Sequence, residues 1–253
     1  QFGISVFLII GTYIIYKQVI YGSQKNLGFD QEQIIVVPLA DNNTFDKLDA
    51  IQTQLNSHPA VQRTAKVSEV LGNVRAGYGY DAEGLLDKEN ASCTGFSVDR
   101  NAIATIGLEL IAGSNFTKTS ENDSVWHYIV NRQLIEDMAW TPEEAIGKDF
   151  RMLPMPMGKL IGVVEDFHFT SLREKIGPVV LTYIPHEISN LYVRVNMNQA
   201  SDAMEHIYST FEDIVPGSPV EPSFLVSELD HLYREETKTA QLMILFTGLS
   251  IVI

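Results

Sequence analysis

Two kinds of hydrophobic pattern divide this chain. At either end the pattern is continuous: "QFGISVFLIIGTYIIY" (1–16) and "TAQLMILFTGLSIVI" (239–253) contain no charged residue. A membrane-crossing helix needs about 20 apolar residues. Each run falls slightly short of that and is expected to be part of a truncated transmembrane helix. Lys17 and Lys25 follow the first run and no small-residue cleavage motif does, so an anchor is expected rather than a cleaved leader. The two inner flanks alone do not fix which side of the membrane the intervening chain occupies.

Between the ends, short β-branched runs alternate with amphipathic stretches. "EQIIVVPL" (32–39) predicts a buried strand, and "TFDKLDAIQTQLNS" (44–57) sets Phe45, Leu48, Ile51 and Leu55 at helical spacing. "VQRTAKVSEV" (61–70) predicts a second strand, completing a βαβ unit. The pattern returns at "NLYVRVN" (190–196) and "QASDAMEHIYSTFEDIV" (199–215), whose Ala203, Met204, Ile207, Phe211 and Ile214 share one face. "VEPSFLVSE" (220–228) closes the second unit. The expected fold class is α+β: two βαβ units, 27–70 and 186–226, pack as a membrane-proximal split sandwich. Residues 71–185 form an inserted upper subdomain, mixed and β-rich. Segments 1–26 and 227–253 supply stalks and truncated transmembrane helices.

The insertion carries predicted strands at "CTGFSVD" (93–99), "HYIVNR" (127–132), "KLIGVVEDF" (159–167) and "VVLTYI" (179–184). Asp99 can cap a helix over "RNAIATI", and "NRQLIEDMAW" (131–140) predicts another. In "TPEEAIG" (141–147) Thr141 caps, Pro142 fits the first turn and Glu144 completes a capping box. "SELDHLYREETKTAQL" (227–242) has no Gly or Pro, so its helix is expected to run into the last apolar segment. Leu229, Leu232, Tyr233, Glu236 and Ala240 share one face of that amphipathic stalk. "KQVIYGSQKNLGFD" (17–30) resembles a matching stalk, broken near Gly28.

Composition narrows the function. The 253 residues are 45% hydrophobic, enough to fill a core. With 18 basic against 32 acidic residues, net −14, the chain would repel a phosphate backbone, so no nucleic-acid partner is expected. One cysteine, Cys93, excludes an internal disulfide framework.

The strongest chemical candidate is "GVVEDFHFTS" (162–171), with Glu165, Asp166 and His168 close together. On an extended chain Asp166 and His168 would share a face. Two ligands make no metal site, and His58, His127, His186, His206 and His231 show no ligand spacing. No P-loop, GxSxG or SxxK motif occurs. No catalytic, cofactor or metal residue is expected, and a membrane-anchored hydrolase lacks its nucleophile and base. "RMLPMPMGKL" (151–160) is expected to be a hairpin loop resting on the core, with Met152, Met155 and Met157 as a contact surface for varied apolar ligands.

Taken in order, "QFGISVFLIIGTYIIYKQ", "LGFDQEQIIVVPL", "GLELIAGSNFT", "EEAIGKDF", "LIGVVEDFHFTSLREKIGPVVL" and "LDHLYREETKTAQLMILFTGLSIVI" resemble the MacB/FtsX-type permeases of ABC transporters, most of all the two-repeat permeases of Bacteroidetes-like bacteria. The resemblance implies a MacB-like periplasmic core domain in the bacterial inner membrane, with residues 27–227 on the periplasmic side. It also implies a permease dimer in membrane lipid, a separate cytoplasmic ABC ATPase subunit carrying the enzymatic activity, and a periplasmic adaptor or envelope protein as further partner. Leu229, Leu232, Tyr233 and Ala240 would then couple ATP hydrolysis mechanically to export, lipoprotein release or envelope signalling. The alternative is an extracytoplasmic sensor domain of a two-helix receptor or histidine kinase, which also lies between two membrane helices.

Overall fold

The computed structural model describes residues 27–29, 32–39, 42–74, 76–84, 91–118, 125–170 and 174–229, with 3, 6, 10, 11 and 13 besides. The chain begins with β1 (Ile34–Pro38), α1 (Asn42–Asp46), α2 (Leu48–Leu55) and β2 (Val61–Val67). The middle runs β3 (Gly77–Ala82), β4 (Ser92–Ser97), α3 (Ala102–Ile106), β5 (Leu110–Gly113), β6 (Trp126–Asn131), α4 (Arg132–Asp137), α5 (Pro142–Ala145), β7 (Asp149–Met152), β8 (Gly158–Val164) and β9 (Val179–Thr182). It closes with β10 (Asn190–Val195), α6 (Ala200–Ile214) and β11 (Ser223–Phe224).

Strands from the two ends of the chain share one antiparallel sheet in the order β11-β1-β10-β2. β10 lies between β1 and β2, so each βαβ unit is split by a strand of the other. The period-2 geometry of β1 explains its unbroken apolar run. Ile35 and Val37 face α2 and α6, packing with Ile51, Leu55, Ile207 and Phe211. Ile34 and Val36 face the opposite way, toward a second core. Burial on both faces requires apolar residues at every position.

The other seven strands form a mixed sheet, β5-β8-β6-β9-β4-β3-β7, and β7 also pairs with β8. β6 runs parallel to β8, and β4 parallel to β9. One face of this sheet, with Phe96, Ile129, Val164 and Leu181, meets Ile34, Val36, Ala65, Val67 and Tyr192 of the four-stranded sheet. This shared central core joins the two sheets. The other face packs Tyr80, Tyr128, Phe150, Met152 and Leu160 with Leu134, Ile135 and Ala145 of α4 and α5. Tyr192 is fully buried in the central core. Its hydroxyl donates to the Glu69 carbonyl at 3.1 Å and accepts from the Leu71 amide at 2.9 Å, which satisfies a group that would be costly to bury alone.

The α+β class holds. The Thr141 capping box forms, with the hydroxyl accepting from the Glu144 amide and the Glu144 carboxylate accepting from the Thr141 amide. Asp99 accepts the Asn101 amide just before α3. The helix expected over 44–57 is two helices separated at Lys47, whose ammonium reaches the Ile214 carbonyl at 2.7 Å. The strand expected over 220–228 is only β11; residues 225–229 are helical. The strand expected over 159–167 ends at Val164, which leaves Glu165, Asp166 and His168 outside the ladder. β3, β5 and β7 were not expected.

Among the described residues no helix is long and apolar enough to cross a membrane. The apolar runs expected to be truncated transmembrane helices, 1–16 and 239–253, lie outside the described residues apart from isolated positions of the first.

Cys93 is 5% exposed in the outer core, and burial pushes its thiol up to about 12. The thiolate is the reactive species, so a thiol reagent at neutral pH is expected to modify native Cys93 at least ~100-fold more slowly than the unfolded chain. Equal rates would show that this core is open.

Candidate functional site

The chain enters and leaves the described fold at the central core. The lead-in, residues 27–29, buries Leu27 and Phe29 there. The lead-out, residues 225–229, buries Leu225 and Leu229 in the same cluster. Leu229 is 6% exposed, so the first residue of the expected coupling face is a core residue. Leu232, Tyr233 and Ala240, its expected companions, lie outside the described residues.

The segment after β8 holds the lead-in. The His168 amide donates to the Leu27 carbonyl at 2.8 Å. Gly28 has φ +81°, and a Cβ placed on it would lie 2.8 Å from the Asp166 carbonyl oxygen and 2.9 Å from Phe167 Cα. Only glycine fits a left-handed turn pressed against backbone so closely. Phe167 and Phe169 complete the contact, edge to face with each other, and Phe167 meets Phe96 the same way. The Phe169 carbonyl accepts from the Gly72 and Val74 amides at 3.0 and 3.1 Å.

The acidic pair of this segment is engaged with the start of α4. Arg132 donates from Nε and Nη2 to the two Glu165 carboxylate oxygens, each at 2.7 Å. This bidentate geometry holds the Glu165 carboxyl below the usual carboxylate range. Asp166 Oδ1 accepts from Asn131 Nδ2 at 2.7 Å and from the Gln133 amide at 2.9 Å. Burial nonetheless pushes its carboxyl above the ordinary aspartate value.

Asn131 was not singled out in the sequence, yet it ties these parts together. It is fully buried and caps α4, its Oδ1 accepting the Leu134 amide at 3.3 Å and the Val179 amide at 2.9 Å. Its Nδ2 also donates to the Gly177 carbonyl at 3.0 Å. An Asn before "RQLIED" is a readable N-cap signal. Its partner Asp166 is 35 residues away, which spacing cannot reveal.

The expectation that Asp166 and His168 share a strand face is corrected, because both follow the last paired residue. Among the described residues no group of three or more His, Cys, Asp or Glu could hold a metal ion. The arrangement ties segments together mechanically.

The hairpin expected over 151–160 does rest on the core, and that narrows the methionine surface. Met152 is fully buried, turning in over Gly95, where a Cβ would collide with its sulfur. Met155 is half-buried against the same core. Met157 is 49% exposed on the β7–β8 hairpin, with Leu153 and Val125 also exposed. Alternation along β7 sends Phe150 and Met152 inward, so one methionine of the three remains freely presented.

The Arg132–Glu165 pair yields a pH test. Glu165 is held low, so its contribution is present above the unfolded value near ~4.3 and is lost as pH falls through the lower folded value. The side chains are 37% and 38% exposed, and solvent screening keeps the pair below about 1 kcal/mol. Glu165→Gln is expected to cost about 0.5 kcal/mol at neutral pH and nothing below the folded carboxyl's titration, measured as denaturation midpoints at both. An equal loss at both pH values would assign the effect to packing.

No family model matches the chain, and no curated protein does. Solved structures do. The periplasmic region of MacB from Actinobacillus actinomycetemcomitans superposes with a TM-score of 0.56 at 11% identity, covering 83% of this chain and 96% of that one. The extracellular domain of the noncanonic ABC-type transporter YknZ from Gram-positive bacteria gives 0.50 at 12%, covering 75% of this chain and 99% of that one. At such identities the likeness lies in the fold: this chain has the fold of the MacB periplasmic region.

Proposed function

We propose that this chain is the extracytoplasmic part of an ABC transporter permease of MacB/FtsX type. It would transmit the work of a separate cytoplasmic ATPase through stalk helices to export, lipoprotein release or envelope signalling. The observation that carries this reading is the burial of both lead-in and lead-out in one core of a MacB-like fold. Displacement of either segment strains residues shared by both sheets, and packed cores transmit strain rather than absorb it. In this reading the four-stranded sheet and its helices lie toward the membrane, and the seven-stranded sheet lies above them. Residues 27–227 are periplasmic, and the permease acts as a dimer in the inner membrane. The chain itself carries out no catalysis. Leu229, Leu232, Tyr233 and Ala240 form the coupling face, and Met157 is available to an adaptor or envelope protein.

The test is Thr237→Pro in the full-length complex, with a spin label at Met157 reporting the distance across the dimer. Proline removes a backbone donor and clashes one turn back, costing ~3 kcal/mol or more inside a helix. ATP hydrolysis is expected to persist while the nucleotide-dependent change in label distance is lost. An unchanged response in the variant would contradict mechanical coupling through this stalk.

A further inference from the structure

The two segments that connect this fold to the expected stalks share the central core, but their backbones are tied to different parts of the fold. The lead-out follows β11 directly, and β11 pairs with β1 in the four-stranded sheet. The lead-in is bonded instead to the segment that follows β8 of the seven-stranded sheet, through the Leu27 carbonyl and the close seat of Gly28. That segment is held from its other sides as well. Asn131 and Gln133 bind Asp166, and Gly72 and Val74 bind the Phe169 carbonyl. Phe167 and Phe169 are buried in the core that both sheets share.

We propose that Asp166–Phe169 is a clasp that locks the N-terminal lead-in to the seven-stranded sheet, so that this sheet follows the N-terminal stalk as one rigid body with the rest of the fold. Without the clasp the lead-in would reach that sheet only by way of β1 and the central core. With it, a pull on residues 27–29 acts directly on the sheet that carries the exposed Met157 hairpin. The inference rests on the reading of the chain as a permease domain driven through its stalks. It adds a route for the motion and the absence of an internal hinge.

The experiment uses the full-length complex reconstituted in lipid, with two pairs of spin labels. One pair joins Gln54, exposed on α2, to Met157 within one chain; the other joins Met157 across two copies. Native Cys93 is buried, and the absence of label on its own peptide confirms that each variant remains folded. In the wild type the distance within the chain is expected to stay constant through nucleotide binding and hydrolysis, while the distance between copies changes. Gly28→Ala, whose added Cβ meets the Asp166 and Phe167 backbone, is expected to lose most of the change between copies while ATP hydrolysis continues. A nucleotide-dependent change within the wild-type chain would overturn the clasp by revealing a hinge, even if the Gly28 variant unfolds. So would a Gly28→Ala variant that moves as the wild type does. Absence of any ABC ATPase from the purified complex would instead overturn the permease reading, and the clasp with it.

Discussion

Asn131→Ala is expected to lower stability by about 3 kcal/mol, because it strands several buried groups at once. Asn131 is fully buried and makes four hydrogen bonds, to Asp166, Gly177, Leu134 and Val179. Each partner left unsatisfied costs ~1–3 kcal/mol, partly recovered where water reaches the Gly177 and Asp166 side of the site. Asp166 loses a donor that favours its charged form, so its carboxyl, already raised by burial, should rise further. Thermal denaturation followed by labelling of buried Cys93, read on its own peptide by mass spectrometry, reports this in the intact protein. At ~2–4 °C per kcal/mol for a fold of this size, the melting temperature should fall by about 6–12 °C. A shift below about 2 °C would mean that Asn131 does not join β6, α4 and the segment after β8 as its geometry indicates.

Gly28→Val should be comparably costly for a different reason. A non-glycine residue at φ +81° carries about 1 kcal/mol or more of backbone strain, and this one would also press on backbone atoms at 2.8 and 2.9 Å that cannot turn aside. Relief comes by lifting the lead-in from its seat, which exposes Leu27 and Phe29 at ~1.5–3 kcal/mol each. The expected loss is about 3 kcal/mol. Gly217→Val is the control: its φ is +79°, but nothing lies within 4 Å of the added Cβ, so it should cost about 1 kcal/mol. Equal effects from the two substitutions would show that the seat against Asp166 and Phe167 contributes nothing.

The legible and illegible parts of this fold separate along physical lines. β1, β6, β9 and β10 are short β-branched or aromatic runs buried on both faces, and such runs stand out in any sequence. The apolar face of α6 is readable from spacing alone, and Ala203, Ile207 and Phe211 are buried as that spacing requires. β3 is "GYGYDA", β5 is "LIAG" and β7 is "DFRM". They are too short, too polar or too rich in glycine to signal strand, and they gain their state only from partners across the sheet. The order β11-β1-β10-β2 depends on pairings more than 120 residues apart in sequence, which no local pattern encodes. The break at Lys47 is of the same kind, since its partner is the carbonyl of Ile214.

The candidate site was legible by position and illegible by role. "EDFHF" drew notice as a cluster of ionisable groups, yet its backbone makes the contacts that matter: the His168 amide, the Asp166 carbonyl and the Phe169 carbonyl. Backbone chemistry is the same in every residue, so composition cannot flag it. Gly28 was visible only as a break in an expected stalk, and its left-handed turn against Phe167 was not readable from the sequence. Met152, expected in a loop resting on the core, instead ends β7, whose register turns it inward.

A permease driven by a separate ATPase would carry that ATPase with it in the membrane. The most direct measurement is purification of the full-length protein from its native membrane in mild detergent, with its companions identified by mass spectrometry. An ABC-type ATPase is expected at comparable abundance. A chain that arrives without an ATPase, and whose own peptides include a kinase or methyl-accepting domain beyond Ile253, would contradict it and make the lead-out helix a signalling element.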